Sequence, residues 1–178
     1  MKKIILIYGV IAGAIVAASM VWGFMVSDGS GDGMQMLEIM GYLIMLIALS
    51  VIFFGIKKYR DDELGGVITF GTAVLAGLGI SVVASIIYVL TWEIYLAQTN
   101  YAFMTEYVAA SLASMEAAGA SAAEIQAASA NFDVLVDRYN NPLFRLGITF
   151  VEIFPVGLLI TLISAAILRK STVLPTAG

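Results

Sequence analysis

GIKKYRDDELGG, residues 55–66, sets a dense run of charge between two long apolar segments. Lys57, Lys58 and Arg60 close the first segment, Asp61, Asp62 and Glu63 follow, and apolarity resumes at Val67. Long apolar segments joined by short charged breaks mark a polytopic membrane protein, and the break richest in Lys and Arg stays in the cytoplasm. The stretch therefore reads as a topogenic cytoplasmic loop carried by Lys57, Lys58, Arg60 and Asp61. Tyr59 suits an interfacial anchor, and Arg60 and Glu63 are spaced to pair across one helical turn.

On the N-terminal side of this break, residues 37–56 form a span with Glu38 at its outer end, within reach of headgroups. SDGSGDG at 27–33 precedes it and reads as a polar reversal. Its Asp28 and Asp32 alternate too briefly for a calcium loop, with no closing acid at the required spacing. The chain starts MKK, and the alanines at 17 and 18 imitate a signal cleavage site. The apolar run at 4–26 nevertheless lasts about 23 residues, enough at ~1.5 Å each to cross a ~30 Å hydrocarbon core. A signal core stops at roughly 7–15 residues, so the reading is an uncleaved first span. Gly9, Gly13 and Ala17 put small residues on one helical face, suited to close packing on a neighbour.

On the other side, the third span covers 67–92. Ala73, Gly77, Ser81 and Ser85 recur every fourth residue and make a narrow face for another helix. Trp92 closes it, with Tyr88 and Tyr95 completing an aromatic belt. Residues 98–141 are alanine-rich and too charged to span. They read as an amphipathic helical hairpin. Gly119 ends its first helix, and Ser121 with Glu124 opens the second as a capping box. Met104, Val108, Leu112 and Met115 stripe the first helix; Ile125, Phe132, Leu135 and Val136 stripe the second. Asn140, Asn141 and Pro142 then break the chain before a fourth span at 146–168, closed by Arg169 and Lys170. Gly119, Pro142 and Pro155 are the expected helix breakers, Pro155 by removing a backbone hydrogen bond inside the last span. The tail from Ser171 is expected to fray.

Lys2, Lys3, Lys57, Lys58, Arg60, Arg169 and Lys170 fall on one side of this four-span threading, and only Arg138 and Arg145 on the other. Both termini are accordingly cytoplasmic and the hairpin faces outward. The fold class is all-α: a single integral membrane domain over 1–178, an antiparallel four-transmembrane-helix bundle with an outward hairpin inserted between spans 3 and 4. Composition agrees: 61% of residues are hydrophobic, 12% charged, and mean hydropathy is +0.97. The formal charge of -4 and the absence of a basic patch speak against nucleic acid. The chain has no Cys and no His, which removes thiolate nucleophiles, disulfides and the commonest general base and metal ligand. No cofactor is expected, and the expectation is that the protein is not an enzyme.

Glu152 is the informative charge, because it lies inside an apolar segment, about six residues or ~9 Å from the expected start of the fourth span. An intramembrane carboxylate calls for a partner, a wet cavity or a proton. Glu93 and Arg145 fall at the same outward end. Seven residues separate Arg145 from Glu152, ~10 Å along a helix, so Glu93 is the expected bridge in a Glu93, Arg145 and Glu152 cluster.

The runs GIKKYRDDELGGVITFG, LTWEIYL and NPLFRLGITFVEIFPVGLLITLISA stand at the ends of consecutive spans. With them the chain resembles the bacterial integral-membrane proteins of domain-of-unknown-function family 4199. Tyr59–Arg60–Asp61, Trp92–Glu93, Asn141–Pro142 and Glu152 with Pro155 carry the resemblance, which covers nearly the whole chain. It implies a fold and a location in the bacterial cell membrane, and no activity, substrate or partner. Two function classes stay open. One is a structural, assembly or regulatory module, with the lipid bilayer and a membrane or periplasmic protein as partners. The other is a proton-coupled or small-solute transporter using Glu93 and Glu152, which with four spans needs a homo-oligomer.

Overall fold

A computed structural model describes the backbone of residues 1–26 and 31–170 and the side chains of 1–23 and 39–170. The described residues form α1 (Lys2–Val26), α2 (Gly31–Leu49), α3 (Val51–Lys58), a π-helical turn (Tyr59–Glu63), α4 (Phe70–Gln98), α5 (Phe103–Ala117), α6 (Ala122–Tyr139) and α7 (Pro142–Leu168). Four helical stretches are long and apolar enough to cross a membrane: Lys2–Gly23, Ile39–Glu63, Phe70–Gln98 and Pro142–Leu168. At ~1.5 Å per residue the last two run to about 40 Å, longer than a ~30 Å hydrocarbon core needs.

Packing explains why α4 is central. It lies between α1 and α7, with α3 also against it. Its Ala73, Gly77, Ser81 and Ser85 face is buried throughout. A Cβ on Gly77 would sit 2.6 Å from Thr161 Cγ2, and one on Gly157 would sit 2.8 Å from Ser81 Oγ. Glycine at these two sites therefore sets how near α4 and α7 come. Ser81 and Thr161 hydroxyls meet there at 3.2 Å. On the opposite side, Gly9 and Gly13 of α1 admit Val83 and Ile87 of α4. Small polar side chains join the apolar ones inside, while large apolar ones face out: Ser81, Ser85, Thr149, Thr161 and Ser164 are buried, whereas Leu6, Ile47, Leu90, Ile94 and Ile167 are exposed. Lipid tails give apolar side chains no reason to hide, so helices join through small residues and dispersion contacts instead.

Several boundaries differ from the sequence reading. The charged stretch at 55–66 is mostly not a loop. Lys57 and Lys58 end α3, and Arg60 and Asp61 lie in the π turn. Arg60 explains part of this, since its Nη1 donates to the Leu168 carbonyl at 3.3 Å and draws the turn toward α7. The turn closes when Gly66 N–H donates to Arg60 O at 2.9 Å, with Gly65 and Gly66 at φ +64° and +87°. Arg60 pairs with Asp61, not with Glu63, which meets the N-terminal amine. The second span begins helically at Gly31 and is one continuous path disturbed at Ser50, whose hydroxyl donates back to Ile47 O at 2.6 Å. Such back-bonding bends helices. Of the polar reversal, residues 27–30 lie outside the described residues, as does the tail at 171–178.

The third span runs on to Gln98, so Trp92 and Glu93 stand within α4 and do not close it. Pro142 begins a helix where a break was expected. Asn141 caps α7, its Oδ1 accepting from Leu143 N at 2.9 Å, and Pro142 occupies the first helical position, where its missing N–H costs nothing. Pro155 does not break α7 either, which continues to Leu168. Gly119 does act as a helix stop: at φ +80° it donates to Glu116 O while Ala120 donates to Met115 O. The Ser121–Glu124 capping box opens α6. The α5 and α6 stripe residues are half-buried, and neither helix contains a fully buried residue.

Candidate functional site

Arg145 stands one turn into α7, where a positive charge is disfavoured by the helix dipole. A compensating anion is therefore required, and α4 supplies it. Arg145 Nε donates to Glu93 Oε1 at 2.6 Å and Nη2 to Glu93 Oε2 at 2.8 Å, a two-point fork. Its Nη1 donates to the Tyr139 carbonyl at 3.0 Å, the last residue of α6. Such forks are among the stronger polar contacts a protein makes. Arg145 is 5% exposed, with its guanidinium carbon 4.9 Å from the Tyr101 ring centroid and 5.9 Å from that of Tyr139.

Backbone conformation holds one wall of this cage. Asn100 and Tyr101 have φ of 50° and 58°, a region non-glycine residues seldom occupy. Two backbone bonds, Tyr101 N to Leu96 O at 2.8 Å and Asn100 N to Ala97 O at 3.4 Å, close the end of α4 and turn the Tyr101 ring over Arg145. Trp92 holds the other wall: its Nε1 donates to the Tyr139 hydroxyl at 2.6 Å. Burial pushes the Tyr139 hydroxyl above its usual range, against the opposing pull of the Trp92 bond and the Arg145 charge. Trp92 also packs edge-on to Phe103, Phe103 stacks with Tyr107, and Tyr107 meets Phe132 of α6. One aromatic chain thus joins α4, α5 and α6 beside the ion pair.

Of the three expected cluster members, the structure brings Glu93 and Arg145 together in one fork. Arg145 donates to Glu93 and Tyr139, and Glu152 of α7 lies near Tyr88 of α4. Because α7 starts at Pro142, Glu152 lies ten residues in, ~15 Å along the axis and deeper than the sequence suggested. Lys57, Lys58, Arg60 and Asp61 are far from this site, beside the start of α4 and the end of α7: Ile68 and Lys170 exchange backbone hydrogen bonds of 3.0 Å there. Sequence reasoning missed Tyr101 and Tyr139 and gave Trp92 only a belt role. A carbonyl acceptor and a ring face leave no charge pattern to read. The one available signal was the crowding of Tyr and Trp near both ends of 98–141. Among the described residues, no group of three carboxylates stands ready for a metal ion.

The model of a family described as "Protein of unknown function (DUF4199)" matches residues 7–170. Comparison with curated proteins and with solved structures gave no match.

Proposed function

The chain belongs to the DUF4199 family, and from that premise we propose that it is a structural, assembly or regulatory module of the bacterial cell membrane. In this reading the four spans alternate as an antiparallel bundle, both termini are cytoplasmic, and α5 with α6 forms an outward hairpin offered to a membrane or periplasmic partner. The observation that carries it is the occupied fork of Arg145. Its bonds to Glu93 and Tyr139 fasten the end of α6 to α4 and α7. A fork so fully engaged is suited to fixing the hairpin's position, and badly suited to releasing and rebinding a solute.

Paired assays test this reading. Glu93→Leu and Arg145→Leu should each lower thermal stability, and the double variant should recover much of the loss, since an orphaned buried charge is what costs most. Proteoliposomes of the native chain should pass neither protons nor a broad solute panel. Measurable flux abolished by either single variant in a still-folded protein would favour the transporter. The transport reading has its own support in Glu152, a carboxylate inside a spanning helix. Threading is tested separately: a cysteine at position 121 should label from outside intact cells and one at position 58 should not, without background because the chain has no Cys.

A further inference from the structure

At the end of the bundle where the π turn leads into α4, each acid of the turn already has a partner. Asp61 meets Arg60, Asp62 meets Lys58, and Glu63 meets the N-terminal amine. Lys57 and Lys170 are exposed at this end, and neither makes an ion pair among the described residues. The fold brings these two lysines from distant parts of the chain to one place. Lys170 exchanges backbone hydrogen bonds of 3.0 Å with Ile68, and Arg60 reaches the Leu168 carbonyl, two residues before Lys170, at 3.3 Å. Lys57, Arg60 and Lys170 all stand within electrostatic reach of Asp61. Three cations thus face one carboxylate, an excess of two positive charges. Lys58, by contrast, is bonded to Asp62 and lies near Tyr8 of α1.

Below these lysines, toward the middle of the spans, the surface is apolar. Phe54, 58% exposed, lies one turn before Lys57 on the same face of α3. On α7, Ile163 and Ile167 are exposed in the two turns before Lys170, Ile167 by 65%. The stretches Ile39–Glu63 and Pro142–Leu168 both end at this level. Charge therefore stands where headgroups lie, and Phe54 and Ile167 where acyl chains lie. A lysine stem can follow such an apolar surface while its ammonium stays at the interface. A phosphate carried on two acyl chains meets both parts of this surface at once. A soluble anion, or an acidic protein segment, uses only the charged part.

We propose that Lys57 and Lys170, together with Arg60, bind the headgroup of one anionic phospholipid, whose acyl chains lie against Phe54 and Ile167. The excess of positive charge selects a headgroup with net negative charge over a zwitterionic one, which brings its own cation. Basic residues at the cytoplasmic ends of spans recognise anionic lipids in this way. The inference rests on the membrane-spanning reading of the second and fourth spans. It goes beyond that reading by assigning a ligand class to three named side chains.

The full chain in mild detergent, titrated with phosphatidylglycerol and read by native mass spectrometry, should retain one lipid molecule. Phosphatidylcholine at the same concentration should be retained far less. Lys57→Gln and Lys170→Gln should each weaken phosphatidylglycerol binding about fivefold, the weight of one basic residue at an anionic surface. Lys57→Arg keeps the charge and should bind as the native chain does. Lys58→Gln removes the same charge one position away, from an ammonium held by Asp62, and should leave binding unchanged. Equal losses from Lys57→Gln and Lys58→Gln would mean a diffuse charged surface and overturn the site. Equal retention of the two lipids overturns it too. Displacement of phosphatidylglycerol by inorganic phosphate would mean a soluble-anion site and overturn the lipid assignment. Melting without lipid checks the fold of each variant, and added phosphatidylglycerol should then raise the midpoint of the native chain more than that of Lys57→Gln. An equal rise overturns the role of Lys57. The cysteine pattern reads threading alone, so absent lipid selectivity with that pattern intact overturns this inference and leaves the membrane reading standing.

Discussion

The two regions where α4 and α7 end beside one another use the same chemistry to different effect. Where α4 begins, charge is abundant and one of its pairs stands in the open: Lys58 meets Asp62 at 2.5 Å with both side chains 53% exposed. Where α4 ends, the side chains of the paired Arg145 and Glu93 are 6% and 22% exposed. The first region is rich in ions, and Lys58 and Asp62 among them are open to water. The second has two ions, fixed in a fork, roofed by aromatic rings and closed by a backbone carbonyl. Counting ion pairs would rank the first region the stronger; desolvation and geometry rank the second far ahead.

The largest expected effect that could break this contrast is at the fork. Glu93→Leu should cost about 3 kcal/mol, the lower end for a broken buried pair, because Glu93 keeps some exposure. Thermal unfolding in nanodiscs measures it, and a shift as small as that of an exposed pair would dissolve the contrast. Next comes Trp92→Phe, which keeps the ring and removes the donor to Tyr139. A loss of about 1 kcal/mol is expected, the usual net worth of one such bond, with local amide exchange rising at the end of α6. At the open end, Lys58→Ala should leave the melting temperature unchanged within error, and Asp62→Ala likewise; a clear drop from either would put that pair in the same class as the fork.

The most local effect is a matter of pH. The Ser121 side chain and backbone N–H hold the Glu124 carboxyl below the ordinary carboxylate range. A depressed folded-state pKa means its contribution is present above the unfolded value and fades as pH falls through the folded one. Amide exchange at 121–125 should therefore quicken below about pH 4 while the Glu93–Arg145 end stays protected. Fraying that begins near neutral pH would contradict the assignment.

What was legible in the sequence follows the range of the forces involved. The spans were readable because hydropathy accumulates along contiguous residues. Gly119 and the Ser121–Glu124 box were readable because a cap is settled within a few positions. Pro142 was misread although Asn141 before it was the clue: Asn-Pro can stop one helix or open the next, and here Asn140 and Asn141 alone suffice for the stop. The Glu93–Arg145 meeting could be anticipated from charge and depth, since both lie near the same expected membrane face. The π turn could not, because it depends on Arg60 reaching Leu168 across the fold.

The cross-links between α4 and α7 have a mechanical consequence. Paired backbone hydrogen bonds between Ile68 and Lys170 hold one extremity, the Arg145 fork holds the other, and the Ser81–Thr161 contact lies between them. Two rods riveted at three heights cannot slip past each other without breaking several rivets at once. Slippage by a single helical turn, ~5.4 Å, would shear the fork and the backbone rungs together. The α4–α7 pair is therefore held as one body.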